Sequence, residues 1–136
     1  MNHYALFFDI DGTLVSFKTH EIPASAIFAL TQAKANGHRV YISTGRPVVI
    51  ITNLGAIEHL IDGFITTNGA YCFVGNDTVC CNPIPKEAVN TIVDDAQKKG
   101  YSLIVIGKTD VAVLDSKGDV DRIFRQMLAV TNLDKA

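Results

Sequence analysis

The sequence predicts an α/β protein: a parallel sheet built by β-α-β-α-β alternation over the first half, followed by a second, separate α+β unit. Short apolar runs alternate with helix-spaced stretches up to residue 68. Each run ends in a polar cluster, at Asp9-Asp11, at Thr44-Gly45-Arg46 and at Asn68-Gly69. After Gly69 the order becomes β-β-α-β-β-α.

Tyr4 to Phe8 is a continuous apolar run that suits a strand buried on both faces. Pro23 then stands where a first helical turn accepts proline. Ala26, Ala29, Leu30 and Ala33 keep helical spacing, and Gly37 stops the helix. Arg39 to Ser43 is the second strand. A helix is expected from Pro47 to just before Asp62-Gly63, and Phe64 to Thr67 is the third strand. In open α/β sheets, ligands sit outside the carboxyl ends of the strands, so the three polar clusters converge on one rim.

Beyond Gly69, Ala70–Val74 and Thr78–Cys81 flank a Gly75-Asn76-Asp77 turn and read as a hairpin. Pro85 opens a helix with an apolar stripe of Val89, Ile92, Val93 and Ala96, closed by Gly100. Tyr101–Ile106 and Val111–Leu114 form another strand pair. Asp119 is placed to cap a last helix carrying Val120, Ile123, Phe124, Met127 and Leu128 on one face. The domain division expected is therefore 1–68 and 69–136.

With 48% hydrophobic and 19% charged residues, the chain reads as globular. A net charge of −2 argues against a nucleic-acid binder held by a basic surface. Cys72, Cys80 and Cys81 fit neither a disulfide framework nor zinc spacing and read as free thiols. His3, His20, His38 and His59 are scattered. No apolar run spans a membrane and no secretory signal is visible, so the expected location is the cytoplasm.

Phe7-Phe8-Asp9-Ile10-Asp11-Gly12-Thr13 carries the chemistry. Two carboxylates follow a strand directly, and Gly12 permits the turn that sets the second. Asp9 can attack phosphorus and become an aspartyl phosphate. Asp11 can protonate the leaving oxygen and then take a proton from water. A hard cation on the Asp9 carboxylate and the Asp11 main-chain carbonyl would offset the negative charge. An EF-hand reading fails: with Gly12 as the loop glycine, the first and last ligands would be Phe7 and Lys18.

Asp9-Ile10-Asp11-Gly12-Thr13 resembles the first motif of the haloacid dehalogenase superfamily. Tyr41-Ile42-Ser43-Thr44-Gly45-Arg46-Pro47 resembles its second motif, in the form found in Cof-type sugar phosphatases. Thr66-Thr67-Asn68-Gly69-Ala70 is similar to the point where that subfamily inserts its type IIB α/β cap. The resemblance implies a partial Rossmann-like core with an incomplete cap. It makes Asp9 the nucleophile and Asp11 the general acid/base. It also implies that Thr44 binds the phosphoryl group and that Arg46 and the Asn68-Gly69 corner line the pocket floor. The substrate class it implies is small phosphate esters such as sugar phosphates, and the cofactor it implies is magnesium. Bland roles stand beside these: a turn cap for Thr44, a surface cation or a partner of Asp62 or Glu58 for Arg46, a simple turn for Asn68. A phosphoacceptor receiver domain is disfavoured, since the third strand ends in Thr66-Thr67-Asn68 without a carboxylate.

The family's third-motif Lys and fourth-motif acidic cluster have no counterpart here. Lys108, Lys117, Asp119 and Asp121 fall in the cap and Lys135 in the terminal tail. Two expectations follow: weakened catalysis, and a first strand left as an exposed edge, in either a homodimer joined or swapped there or a fragment of a longer gene product. The alternative to an enzyme is a non-catalytic chain that binds magnesium or phosphate, or only associates.

Overall fold

The computed structural model describes residues 2–114 and 118–129. Lys117 and Lys135 lie outside them. Five strands form one sheet in the order β1-β2-β3-β4-β5. They are β1 (Ala5–Phe8), β2 (Arg39–Ser43), β3 (Gly63–Thr66), β4 (Tyr71–Val74) and β5 (Asp77–Cys81). β1, β2 and β3 pair in parallel, while β4 and β5 add antiparallel. The α/β class read from the sequence holds.

Helix α1 (Ala24–Ala35) starts after Pro23 and ends as expected at Asn36-Gly37, where Gly37 takes φ +83° and the His38 N–H reaches back to the Ala33 carbonyl. Its core-facing stripe is rotated from the one read off the alanines. Leu30 is buried and Ile27 packs against the core, while Ala29 faces solvent. Phe28, the largest apolar side chain of α1, stays 67% exposed, so the position of Ile27 and Leu30 over the sheet and not side-chain size sets the buried face. Ile10, Val40, Ile42 and Ile57 are fully enclosed and form the centre of this core.

Three expectations need correction. β1 is not buried on both faces: it is the sheet's edge strand, and Phe7 is 55% exposed, stacked on Tyr41 at 5.1 Å. No α-helix spans Pro47 to Ile61. Two 3₁₀ turns, Val48–Ile50 and Glu58–Leu60, stand there instead. The β-branched run Val48-Val49-Ile50-Ile51-Thr52 weakens a helix, and the two turns still send Ile50, Leu54, Ile57 and Leu60 inward. Finally, the sheet does not stop at the Asn68-Gly69 corner. β4 pairs with β3 from Gly63–Val74 to Thr66–Tyr71, so the first hairpin belongs to the same sheet. Its loop is the two residues Gly75-Asn76.

After Pro85 come α2 (Lys86–Lys99), closed by left-handed Gly100, and a separate two-stranded sheet of β6 (Leu103–Ile106) and β7 (Val111–Leu114). The last helical segment is α3 (Gly118–Val120), which continues as a π-helical turn over Asp121–Met127. Val120 and partly buried Phe124, Leu128, Ile104, Val111 and Val113 pack around Ile50 and Val49, seating the second unit on the first.

Candidate active site

The parallel register sets the rim. Phe8 pairs with Ile42, so β1 and β2 end together and deliver Asp9 and Thr44 to the same edge of the sheet. Ile10, fully buried, anchors the chain between the two carboxylates. The Leu14 and Val15 N–H groups then bond the Ile10 carbonyl at 3.1 and 2.9 Å, and the Gly12 N–H bonds the Val15 carbonyl at 2.9 Å. Gly12 sits at φ +79°, and a Cβ there would stand 2.6 Å from the Phe17 ring. Only glycine accepts both conditions without strain.

Asp11 is drawn into a specific contact. Its two oxygens accept Arg46 Nε and Nη2 at 2.7 Å each. Arg46 is buried at 4% exposure and Asp11 retains 20%. Neither Asp62 nor Glu58 is the partner of Arg46. Asp62 instead takes Lys34 at 2.7 Å, Arg39 at 2.9 Å and the Val40 N–H at 2.8 Å. Burial pushes the Asp62 carboxyl up, but the Lys34, Val40 and Arg39 hydrogen bonds outweigh it and hold the pKa down to about 2.

Thr44 is buried, and its Oγ1 accepts the Arg46 N–H at 3.0 Å. The hydroxyl therefore caps its own turn and keeps its proton to donate. The Asn68 corner is clamped to this loop: the Thr67 N–H bonds the Arg46 carbonyl at 3.1 Å and the Asn68 N–H the Thr44 carbonyl at 3.3 Å. Thr67 and Asn68 both hold positive φ, +51° and +53°, ahead of Gly69 at +91°. A β-branched residue in that region is strained, at a cost of about 1–3 kcal/mol. A Cβ on Gly45 would stand 3.0 Å from Asn68 Oδ1, so this glycine lets the amide approach.

Asp11, Thr44, Gly45, Arg46 and Asn68 are thus one connected network, with Gly12 shaping the turn. Asp9 reaches the rim through strand register, and among the described residues its exposed carboxylate has no partner. No set of three His, Cys, Asp or Glu side chains that could hold a metal occurs among the described residues. The donors present still fit a hydrated hard cation: an open carboxylate on Asp9 and the Asp11 main-chain carbonyl, with water completing the shell.

A cleft of about 510 Å³ opens beside the network, lined by Pro47, Thr67, Tyr71, Ile84, Val93 and Lys108 among others. Lys108 Nζ lies 4.8 Å from the Tyr71 ring centroid. Sequence reasoning placed Lys108 in the second unit without a partner, and no local pattern joins it to Tyr71. The two carbonyls that hold Arg46 from behind, Ile50 and Leu128, were equally illegible.

Comparison with known proteins bears on the family and the fold. The model of the haloacid dehalogenase-like hydrolases matches residues 6–135. The chain is 28% identical over 109 residues to "Putative phosphatase YkrA" of Bacillus subtilis (strain 168), covering 79% of this chain and 41% of that protein. It superposes on the subclass IIB sugar phosphatase BT4131 with TM-score 0.87 and 47% identity, covering 94% of this chain and 50% of that one. It also superposes on a member of a phosphoryl-transfer superfamily with a conserved trigonal-bipyramidal intermediate, with TM-score 0.89 and 46% identity over 93% of this chain and 49% of that one. The chain therefore spans about half the length of these relatives. A carboxylate pair at a strand end, a clamped Thr-Gly-Arg loop and a strained Asn-Gly corner coincide with the family match, and the chain belongs to the haloacid dehalogenase-like hydrolases, of Cof type.

Proposed function

We propose that this chain carries the nucleophile and the acid/base of a magnesium-dependent phosphatase acting on small phosphate esters such as sugar phosphates. The observation that carries the reading is the joining of Asp11, Arg46, Thr44 and Asn68 into one network at the rim where β1 delivers Asp9. The 47% identity to a sugar phosphatase supports the substrate class.

An Asp9 carboxylate oxygen attacks phosphorus, the bond to the leaving oxygen breaks, and an aspartyl phosphate forms. Asp11, both of whose oxygens accept from Arg46 in the unliganded chain, takes up a proton from solvent as substrate binds, gives it to the leaving oxygen, then takes one from the water that cleaves the intermediate. The Thr44 hydroxyl, the Gly45 backbone and the Asn68 amide receive the phosphoryl oxygens. The Asp9 carboxylate and the Asp11 carbonyl would hold the magnesium ion, which would supply positive charge against the phosphate. The cap unit, which we begin near Pro83–Pro85 because the first hairpin belongs to the core sheet, sets substrate choice.

A second reading is favoured by the free edge of β1: a chain that self-associates through that strand and binds magnesium or phosphate without turnover. One experiment separates them. Hydrolysis of an aryl phosphate is measured with and without magnesium, in the native chain and in Asp9→Ala, alongside the sedimentation coefficient. The phosphatase reading expects magnesium-dependent turnover that Asp9→Ala abolishes. Turnover that survives Asp9→Ala sinks it, and dimerisation without turnover establishes the second.

A further inference from the structure

Arg46 is the most heavily engaged side chain of the site. Nε and Nη2 hold the two oxygens of Asp11 at 2.7 Å, Nη2 also bonds the Leu128 carbonyl at 2.7 Å, and Nη1 bonds the Ile50 carbonyl at 3.1 Å. A guanidinium presents five N–H donors in one rigid plane. Four of them are taken here, by a carbonyl four residues on, by Asp11 35 residues before and by Leu128 82 residues after. A two-point fork orients a carboxylate as well as attracting it. The Ile50 and Leu128 carbonyls in turn orient the fork.

Leu128 ends the helical turn Asp121–Met127, and its own N–H bonds the Ile123 carbonyl at 3.1 Å. Phe124 and Leu128 pack with Val120 against Val49 and Ile50. The segment that buries Ile50 is thus also the one that supplies Arg46 with a carbonyl. If the segment lifts, Arg46 loses one anchor outright and the cover over the second.

We propose that Arg46 is a positioning residue for Asp11, and that seating of the C-terminal helical turn on Val49–Ile50 sets its position. The inference rests on the reading of Asp11 as acid/base and reassigns Arg46 within it. A guanidinium this fully committed leaves the phosphoryl oxygens to Thr44, Gly45 and Asn68. Docking of the second unit then governs whether the acid/base is aligned, and undocking lowers turnover without weakening phosphate binding.

The test follows solvent exchange of the Arg46 Nε proton by NMR in the whole chain labelled with ¹⁵N-arginine, the signal being assigned by its loss in Arg46→Lys. Phe124→Ala is expected to speed that exchange roughly tenfold, the scale of losing one charge-assisted hydrogen bond. Phe124→Leu, which keeps an apolar anchor, is expected to restore it, with the backbone amide signal of Arg39 in β2 unchanged in both. Native-like exchange in Phe124→Ala overturns the proposal. A second arm measures binding of inorganic phosphate with magnesium present. Thr44→Val is expected to weaken it and Arg46→Lys to leave it unchanged, and equal weakening in the two variants overturns the proposal. Absence of phosphate binding in the native chain would sink the phosphatase reading alone, because the exchange measurement decides the Arg46 coupling independently.

Discussion

The sheet that carries the Asp pair and the unit after Pro85 are both rich in apolar residues but use them differently. In the first, Ile10, Val40, Ile42 and Ile57 are fully enclosed between the sheet, α1 and the two 3₁₀ turns. In the second, Ala96 and Val120 are the buried hydrophobics among the described residues, while Tyr101, Ile92 and Ile106 are 62%, 47% and 42% exposed. The difference lies in how structure is held. The first region closes a core through parallel pairing of distant strands. The second keeps its helix and hairpin by local pattern, with α2 and β6 leaving an apolar cleft open between them. Burial is what converts apolar area into stability, so the two regions should respond very differently to the same substitution.

The largest contrast is between Ile42→Ala and Ile92→Ala. Truncation at enclosed Ile42 should cost about 2–5 kcal/mol, and truncation at half-exposed Ile92 about 1 kcal/mol or less. Urea unfolding of the two variants measures both, and equal losses would erase the distinction between the regions.

The next effect is electrostatic. Asp62 ties the end of α1 and the start of β2 together through Lys34, Arg39 and the Val40 N–H. Its folded pKa of about 2 lies below the ordinary 3.8, so its stabilisation is complete above pH 3.8 and is lost as pH falls through about 2. That difference amounts to about 2 kcal/mol at neutral pH. Acid titration of the unfolding midpoint should show this loss in the native chain, and Asp62→Asn should flatten it.

The smallest effect concerns the strained corner. Thr67→Gly should stabilise the fold by about 0.5–1 kcal/mol, since relief of the φ +51° strain exceeds glycine's extra unfolded-state entropy. A lower unfolding midpoint in that variant would mean that the Thr67 side chain contributes more than its backbone costs.

Much of the molecule was legible as sequence. The strand before Asp9, α1 with its Gly37 stop, the stripe of α2 and the Gly75-Asn76 hairpin follow from patterns a few residues long. So does the clustering of Asp9, Thr44 and Asn68, because strand ends in a parallel sheet share one rim. The failures share one cause. A helix over Pro47–Ile61 was a reasonable local reading, yet the apolar residues there serve the core better as two short turns. Arg46 had carboxylates nearer in sequence, Glu58 and Asp62, but its partner is Asp11, 35 residues away.

By itself, the sequence determined which residues could do chemistry: a carboxylate pair behind a strand, a hydroxyl before a flexible glycine, and an arginine beside them. These are properties of residue type and short spacing. The edge position of β1 was expected from the sequence and the sheet order bears it out, but only the tertiary structure decided that the first hairpin extends the core sheet and that Arg46 is shared by Asp11, Ile50 and Leu128. Such choices depend on how whole elements pack, and packing free energy is summed over contacts that no local window of sequence contains.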